Sequence, residues 1–373
     1  MTTCYLDHAA TSWPKPEGVT AAVLRWYREL GVSAERGDGD AQRMVLDIVE
    51  RVRAQVGALV GVPGRRCAFT SGATESLNLL LRALLRPGAR VVTTAAEHAS
   101  VVRPLVHLRE ERSLDITVVP CDAHGVVDAG RVIEALEGSP TALLVLAHAG
   151  NVTGAVVDVA PIFAAARARG TTTLLDACQT LGTLDCRTGA DLVVASAHKA
   201  LLGPPGLGFV LAAPGIEVPS PKQGGTGSSR ALDHQPGGWP ACFEAGTPNT
   251  PAILGLGAAL DWHATHDREA SRASALRALD ELRGRLAASG TNRIHSPVDG
   301  PRIPILSFTA SDHDTAEIGA ILEMAGIAVR HGFHCAPWVH RALGTEAAGT
   351  VRVSPGPFVS TADVLRVAEA LGC

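Results

Sequence analysis

Between residues 67 and 211 the chain alternates short apolar runs with segments whose apolar positions recur at helical spacing. "CAFTS" reads as a strand and "GATESLNLLLRALL" as the amphipathic helix after it. "RVVTTAA" is the next strand, followed by a helix around "ASVVRPLVHLREE". Then come "DITVVP", a helix near 128–138, "TALLVLAHA", a helix at "DVAPIFAAARARG", and "TTTLLDA". Strands alternating with helices of this length predict parallel βαβ units, hence an α/β fold with a doubly wound sheet. "ADLVVASA" and "GLGFVLA" follow one another with no room for a crossover helix, which predicts an antiparallel or irregular end to the sheet.

Residues 214–250 lose this periodicity and are rich in Gly, Pro and Ser. A loop that long in a compact protein is usually functional or interfacial. A helical segment from about 252 to 288 follows, long enough to link two domains. The remainder reads as a small α+β unit: strand-like "RIPILSFTA", a helix at "DTAEIGAILEMAG", "IAVRHG", "GTVRVS" and a helix at "TADVLRVAEALG".

Composition narrows the function classes. With 373 residues, 46% of them apolar and 19% charged, the chain can bury a large core across two unequal domains. Its 33 basic and 37 acidic side chains nearly cancel, leaving a net charge of -4 with no block of like charge. Nothing in that balance calls for nucleic acid or a membrane surface. No apolar run is long enough to span a bilayer, and "MTTCYLDHAATSWPKPE" lacks the plan of a signal peptide, so a cytoplasmic location is expected. The eight cysteines are scattered without a CxxC pair, which speaks against a disulfide framework or a structural zinc site.

Several stretches carry candidate chemistry. In "LLDACQTLGTLDCRTGADLVVASAHKALLGPPGLGFV", Asp176 ends one apolar run and Lys199 follows His198 after another. Both stand at carboxyl ends of strands, where ligands bind in open α/β sheets. A desolvated lysine amine can form a Schiff base with a carbonyl cofactor, and for pyridoxal phosphate an acidic side chain should keep the ring nitrogen protonated. An N-cap aspartate beside a surface lysine is the plain alternative. In "FTSGATESLN" a strand runs into a helix N-terminus, where backbone N–H groups and the Thr74 hydroxyl form an anion site, or simply a capped turn. The spacing is neither that of a P-loop nor of a dinucleotide fingerprint. His98 in "AAEHASVV" could stack on a ring, and Asn151 in "LAHAGNVTGAVVDV" could hydrogen-bond a ring substituent, though each also suits a turn. Cys335 in "RHGFHCAPWVH" sits beside His334, a setting that favours a reactive thiolate, or a buried turn cysteine. Arg352 in "GTVRVS" suits bidentate capture of a carboxylate, or a structural ion pair.

In their order along the chain, "YLDHAAT", "SGATESLN", "EHAS", "NVTG", "DACQT", "SAHK", "FEAGTPN", "HCAP" and "VRVS" resemble the class V aminotransferase family, and within it the cysteine desulfurases and selenocysteine lyases. The resemblance spans residues 5 to 361. It implies the fold type I of pyridoxal-phosphate enzymes: a large domain over 16–250 with a mostly parallel seven-stranded sheet, and a small domain formed by 1–15 with 251–373. It also implies a homodimer, an L-cysteine or related substrate, and a sulfur-acceptor protein or pathway enzyme.

The same resemblance implies roles. Lys199 would carry the cofactor and shuttle a proton, Asp176 would pair with the pyridinium nitrogen, Gln179 would reach the ring hydroxyl, and His98 would stack on the ring. Thr74 with Ala73, Ser196 and His198 would bind the phosphate, with Thr247 of "FEAGTPN" reaching across from a second subunit. Asn151 and Arg352 would hold the substrate carboxylate. Cys335 would attack the substrate sulfur, leaving a persulfide and releasing alanine. His8 stands where the family pattern has asparagine and is expected to alter the substrate mouth. "GPPGLGFV" and "KQGGTGSSRALDHQP" fit a less familiar desulfurase-like branch, and the short "HCAP" segment resembles the group whose turnover depends on a sulfur acceptor. A direct C–S lyase, an epimerase or a transaminase on the same scaffold is the alternative that Cys335 would discriminate.

Overall fold

The computed structural model describes residues 4–34, 39–227 and 233–373. The short strand β1 (Cys4–Tyr5) is followed by two helices that the periodicity reading did not assign, α1 (Glu17–Arg25) and α2 (Asp40–Val60). The sheet run then begins with β2 (Cys67–Thr70), α3 (Ala73–Leu84), β3 (Arg90–Thr94), α4 (Ala99–Arg112), β4 (Asp115–Val119) and α5 (Ala129–Ala135). It continues with β5 (Leu143–Ala147), α6 (Val159–Ala168), β6 (Thr172–Asp176), β7 (Leu192–Ser196) and β8 (Gly208–Ala212).

These seven strands form one sheet in the order β2-β8-β7-β6-β5-β3-β4. Strand β8 runs antiparallel to both β2 and β7, while β7, β6, β5, β3 and β4 are parallel to one another. The expected antiparallel element is therefore inserted between parallel strands, not placed at the sheet's edge. Both faces are covered, because the strands are apolar on both sides. Leu144 and Leu146 pack with Val49 and Val52 of α2 and with Ile162 of α6. Leu143 and Val145 pack on the opposite face, with Leu77 and Leu81 of α3 and Leu105 of α4.

The segment expected as one long helix is two, α7 (Thr250–Thr265) and α8 (Arg268–Ala288). His266 takes an extended backbone, and the Asp267 side chain caps the new helix through the Ala270 N–H, which restarts the ladder. Helix α7 packs its Ile253 and Leu256 into the large-sheet core, whereas α8 packs Leu279 and Leu282 with the C-terminal strands. Those strands are β9 (Asn292–Ile294) and β10 (Leu306–Ala310), then, after α9 (Thr315–Met324), β11 (Ile327–Ala328) and β12 (Arg330–Gly332). Helix α10 (Pro337–Leu343), β13 (Thr350–Val353) and α11 (Thr361–Ala370) complete the chain. The run "IAVRHG", expected as a single strand, splits: β11 pairs in parallel with β1, while β12 joins the antiparallel sheet β12-β13-β10-β9. No helix among the described residues is long and apolar enough to cross a membrane. Within "KQGGTGSSRALDHQP", residues 228–232 lie outside the described residues.

Candidate active site

The carboxyl ends of the parallel strands deliver side chains to one cavity of about 190 Å³, lined among others by Thr74, His98, Asp176, Ser196, Lys199 and Arg352. Register does the positioning. Ala147 of β5 lies opposite Asp176 of β6, so both strands end at the same level. Asp176 is buried, and its Oδ1 accepts the N–H of Cys178 at 2.9 Å, which points the carboxylate into the cavity wall formed by the turn after β6.

Ser196, the last residue of β7, and Lys199, three residues beyond it, approach from the neighbouring strand. The Ser196 hydroxyl accepts the Ala73 N–H at 2.9 Å and so ties the N-terminus of α3 to β7. Gly72, at the N-cap of α3, offers no side-chain oxygen to the first turn, and Ala73 and Thr74 at its start line the cavity, an arrangement that suits an anion. Any Cβ on Gly208 would lie 2.5 Å from the Gly72 backbone, so β8 must pass with a glycine for this turn to sit where it does. The Lys199 Nζ has no hydrogen-bond or ion-pair partner among the described residues. His198 binds the Thr11 hydroxyl at 3.0 Å through Nδ1, and its carbonyl accepts from the N–H and hydroxyl of Ser12 and from Lys15. Burial, then the charges of Lys199 and Lys15, lower its pKa to about 4, so the ring is neutral at pH 7.

His98 is the N-cap of α4: its Nδ1 accepts the Ser100 N–H at 3.1 Å and lies 2.7 Å from the Ser100 hydroxyl. That fixes the ring plane. Burial and the Lys199 charge lower its pKa to about 4 against the opposing pull of Asp176. Gln179 donates from Nε2 to the Ala9 carbonyl at 2.9 Å, tying the N-terminal segment over the cavity.

The opposite wall comes from the C-terminal sheet. Arg352, 1% exposed on β13, donates through Nη2 to Asp7 at 2.6 Å and through Nη1 to the Asn151 carbonyl at 2.8 Å. Its Nε is buried without a partner among the described residues. Asn151 in turn donates to the His334 carbonyl at 2.6 Å, which anchors the loop carrying Cys335. His334 and Cys335 both take positive φ, 49° and 58°, a left-handed pair that non-glycine residues adopt only when surroundings enforce it. The enforcing contacts are visible: the Cys335 carbonyl accepts the Ala99 N–H at 2.7 Å, and His334 Nε2 meets the Thr350 carbonyl at 2.9 Å. The Cys335 thiol is exposed, 3.6 Å from Arg330 Nη2, and borders a groove shared with Thr74, His98 and Arg103.

Three residues of the sequence-derived set do not line this cavity: Cys335, on the adjoining groove, and Thr247 and His8. Thr247 is exposed and does not line the cavity of its own chain. His8 faces an adjoining cavity, shared with Lys199, Gln179, Trp262 and His266, and its ring lies so close to Gly356 that a Cβ there would collide with it. Four other residues were not singled out from sequence: Arg330 beside the thiol, Asp7 opposite Arg352, Cys178 under Asp176, and Glu97 before His98. A cation five residues before Cys335 and an acid within "YLDHAAT" were the available signals for the first two.

The residues fit pyridoxal phosphate: an unpartnered lysine amine, a buried carboxylate at the far wall, and an uncapped helix N-terminus for a phosphate, all on one cavity. The model of the aminotransferase class-V family matches residues 4–367. A cysteine desulfurase of Serratia proteamaculans is 33% identical over 356 residues, covering 89% of this chain and 84% of that protein. The structure of the cysteine desulfurase CsdA from Escherichia coli superposes with a TM-score of 0.88 at 26% identity, over 100% of this chain and 94% of the other. The apo structure of a cysteine desulfurase from Thermococcus onnurineus gives a TM-score of 0.90 at 24% identity, over 99% and 94%. A match over nearly the full length, on a sheet whose strand ends gather this donor set, makes the protein a member of the class-V aminotransferase family, in its cysteine desulfurase group.

Proposed function

We propose that the protein is a pyridoxal-phosphate-dependent cysteine desulfurase that converts L-cysteine to L-alanine and takes the sulfur onto Cys335. What supports this reading is an exposed thiol, Cys335, in a groove that adjoins the cavity walled by Lys199, Asp176, His98 and Arg352 and shares Thr74, His98 and Ser100 with it, so that the groove serves as its mouth. Pyridoxal phosphate, when bound, supplies an electron sink for charge that develops at the substrate carbon. The N-terminus of α3 with Ala73 and Thr74, together with Ser196 and His198, would hold its phosphate, and Thr247 of a second subunit would complete that site in a homodimer. Asp176 would keep the ring nitrogen protonated, Gln179 would meet the ring hydroxyl, and the neutral His98 imidazole would pack on the ring face. Lys199 would hold the group and move a proton at Nζ.

Arg352, which lines the cavity, would bind the substrate carboxylate with Asn151 beside it, held in place by Asp7 and the Asn151 carbonyl. The Cys335 thiolate, with the Arg330 guanidinium 3.6 Å from its sulfur, would attack the substrate sulfur. An S–S bond forms as the C–S bond breaks, and carbon keeps the electron pair and takes up a proton to give alanine. The persulfide then passes its outer sulfur to an acceptor, a thiol-bearing protein or pathway enzyme in the cytoplasm.

The test is product analysis with L-cysteine for wild type and Cys335→Ala, with and without a thiol reductant. Alanine in step with sulfide released only on reduction, and both lost in the variant that still binds cofactor, is the expected result. Pyruvate and ammonia unaffected by the substitution would make the protein a lyase and overturn the reading.

A further inference from the structure

Glu97, the residue before His98, is 0% exposed, yet it forms no ion pair among the described residues. Its Oε1 accepts two hydrogen bonds, from the Thr94 hydroxyl at 2.7 Å and from the Ala147 N–H at 3.1 Å. Its Oε2 is buried with no partner among the described residues. An acid that keeps one oxygen bonded and the other bare in an apolar setting is costly when ionised and tolerable when protonated. The two bonds join the end of β3, the His98 turn and the end of β5, whose last residue, Ala147, is in register with Asp176. Among the described residues lining the cofactor cavity, Asp176 is the only carboxylate.

We propose that Glu97 is a positioning residue that works as a neutral carboxylic acid: it clamps the turn bearing His98 to the strand end beside Asp176, and leaves the negative charge of that wall to Asp176 alone. The proposal rests on the cofactor reading above, because the clamp matters to catalysis only if a ring sits between His98 and Asp176. Burial, followed by the repulsion of Asp176, raises the Glu97 pKa to about 8, in line with this state. The other titratable groups on the elements packed around it are His148, one residue beyond Ala147, and His98 on its own turn, both held neutral by burial, with Lys199 on the same cavity.

The full-length chain is compared as wild type, Glu97→Gln, Glu97→Asp and Glu97→Ala, by thermal unfolding across pH without added cofactor and by the dissociation constant for pyridoxal phosphate. A raised folded pKa means the stabilising protonated form is fully present below the ordinary glutamate range and is lost as pH rises. Wild type should therefore lose thermal midpoint relative to Glu97→Gln between about pH 5 and about pH 8, and run parallel to it above. Glu97→Gln, which keeps the acceptor oxygen and the length, should bind the cofactor as wild type does. Glu97→Asp and Glu97→Ala should weaken binding by about tenfold, the scale of losing a buried hydrogen-bonded partner. Identical pH profiles for wild type and Glu97→Gln, or wild-type affinity in Glu97→Asp and Glu97→Ala, would overturn the proposal. If Glu97→Ala does not fold, the Glu97→Gln and Glu97→Asp pair decides. Wild type that takes up no pyridoxal phosphate at all would overturn the cofactor reading itself, which is a different failure.

Discussion

Two cysteines mark the two ends of this site, and the contrast between them shows how the fold divides its labour. Cys178 lies in the cavity wall two residues beyond β6, buried, its N–H bound to Asp176. Burial and the adjacent Asp176 charge push its thiol pKa far up, so it stays protonated and inert. Cys335 lies at the mouth on a strained loop, exposed, with a guanidinium as its nearest polar neighbour. The wall is fixed by strand register, which places Asp176, Ser196 and the α3 turn with little freedom. The mouth is held by a chain of single hydrogen bonds from Arg352 through Asn151 to His334, and from Cys335 to the start of α4. On the proposed function, the residues that would orient a cofactor sit where the sheet is most constrained, and the residue that would meet an outside acceptor sits where it is least.

The largest expected effect comes from cutting that chain at its root. Asp7→Ala would leave the guanidinium of Arg352, already disfavoured by burial, without its counter-charge. Removing one partner of a buried pair costs about 3–5 kcal/mol, and denaturant unfolding should show a loss on that scale. Asp7→Asn keeps an acceptor and should lose less. Equal stability of Asp7→Ala and wild type would mean that the mouth is held by the sheet after all, and would erase the contrast with the wall.

Much of the wall was legible in sequence and much of the mouth was not, for a physical reason. The strands of the large sheet are buried on both faces, so runs such as "LLVLA" and "LVVAS" announce themselves, and the loops at their carboxyl ends point to Asp176, Ser196 and Lys199. Strand order is a different matter: "ADLVVASA" and "GLGFVLA" suggested an antiparallel end, but nothing local to β8 says that it slots between β2 and β7. Helix α2 carries Val45, Val49, Val52 and Val56 at helical spacing, a pattern as legible as that of the later helices. The pairing of Asp7 with Arg352 joins positions 345 apart, and the exclusion of water around Glu97 depends on two strand ends meeting the His98 turn. Contacts of that separation leave no periodic trace. The same holds for His8, whose type was noted but whose direction was decided by Gly356 and the C-terminal loop.

A smaller effect is expected at His8. Burial, then the charge of Lys15, lowers its pKa from the ordinary 6.5 to about 4, and its Nε2 is buried without a partner among the described residues. The unfolded chain thus binds the proton more readily than the folded one. The contribution is fully present above about pH 6.5 and is lost as pH falls towards 4. Between about pH 7.5 and about pH 5, wild type should lose about 2 kcal/mol more stability than His8→Asn, from 1.36 kcal/mol for each pH unit below 6.5. Parallel curves for the two proteins would place the His8 ring in water and not against Gly356.

The smallest expected change is the sharpest test of the comparison. Cys335→Ala removes a side chain that is exposed and makes one weak contact, so unfolding stability should stay within about 0.5 kcal/mol of wild type. Alkylation should then divide the two cysteines under native conditions. Iodoacetamide at neutral pH should label Cys335 and spare Cys178, and peptide mass mapping reads both in one digest. Labelling that reaches Cys178 as fast as Cys335 would show that exposure does not separate mouth from wall. The burial of Cys178 and the open thiol of Cys335 argue for the opposite result.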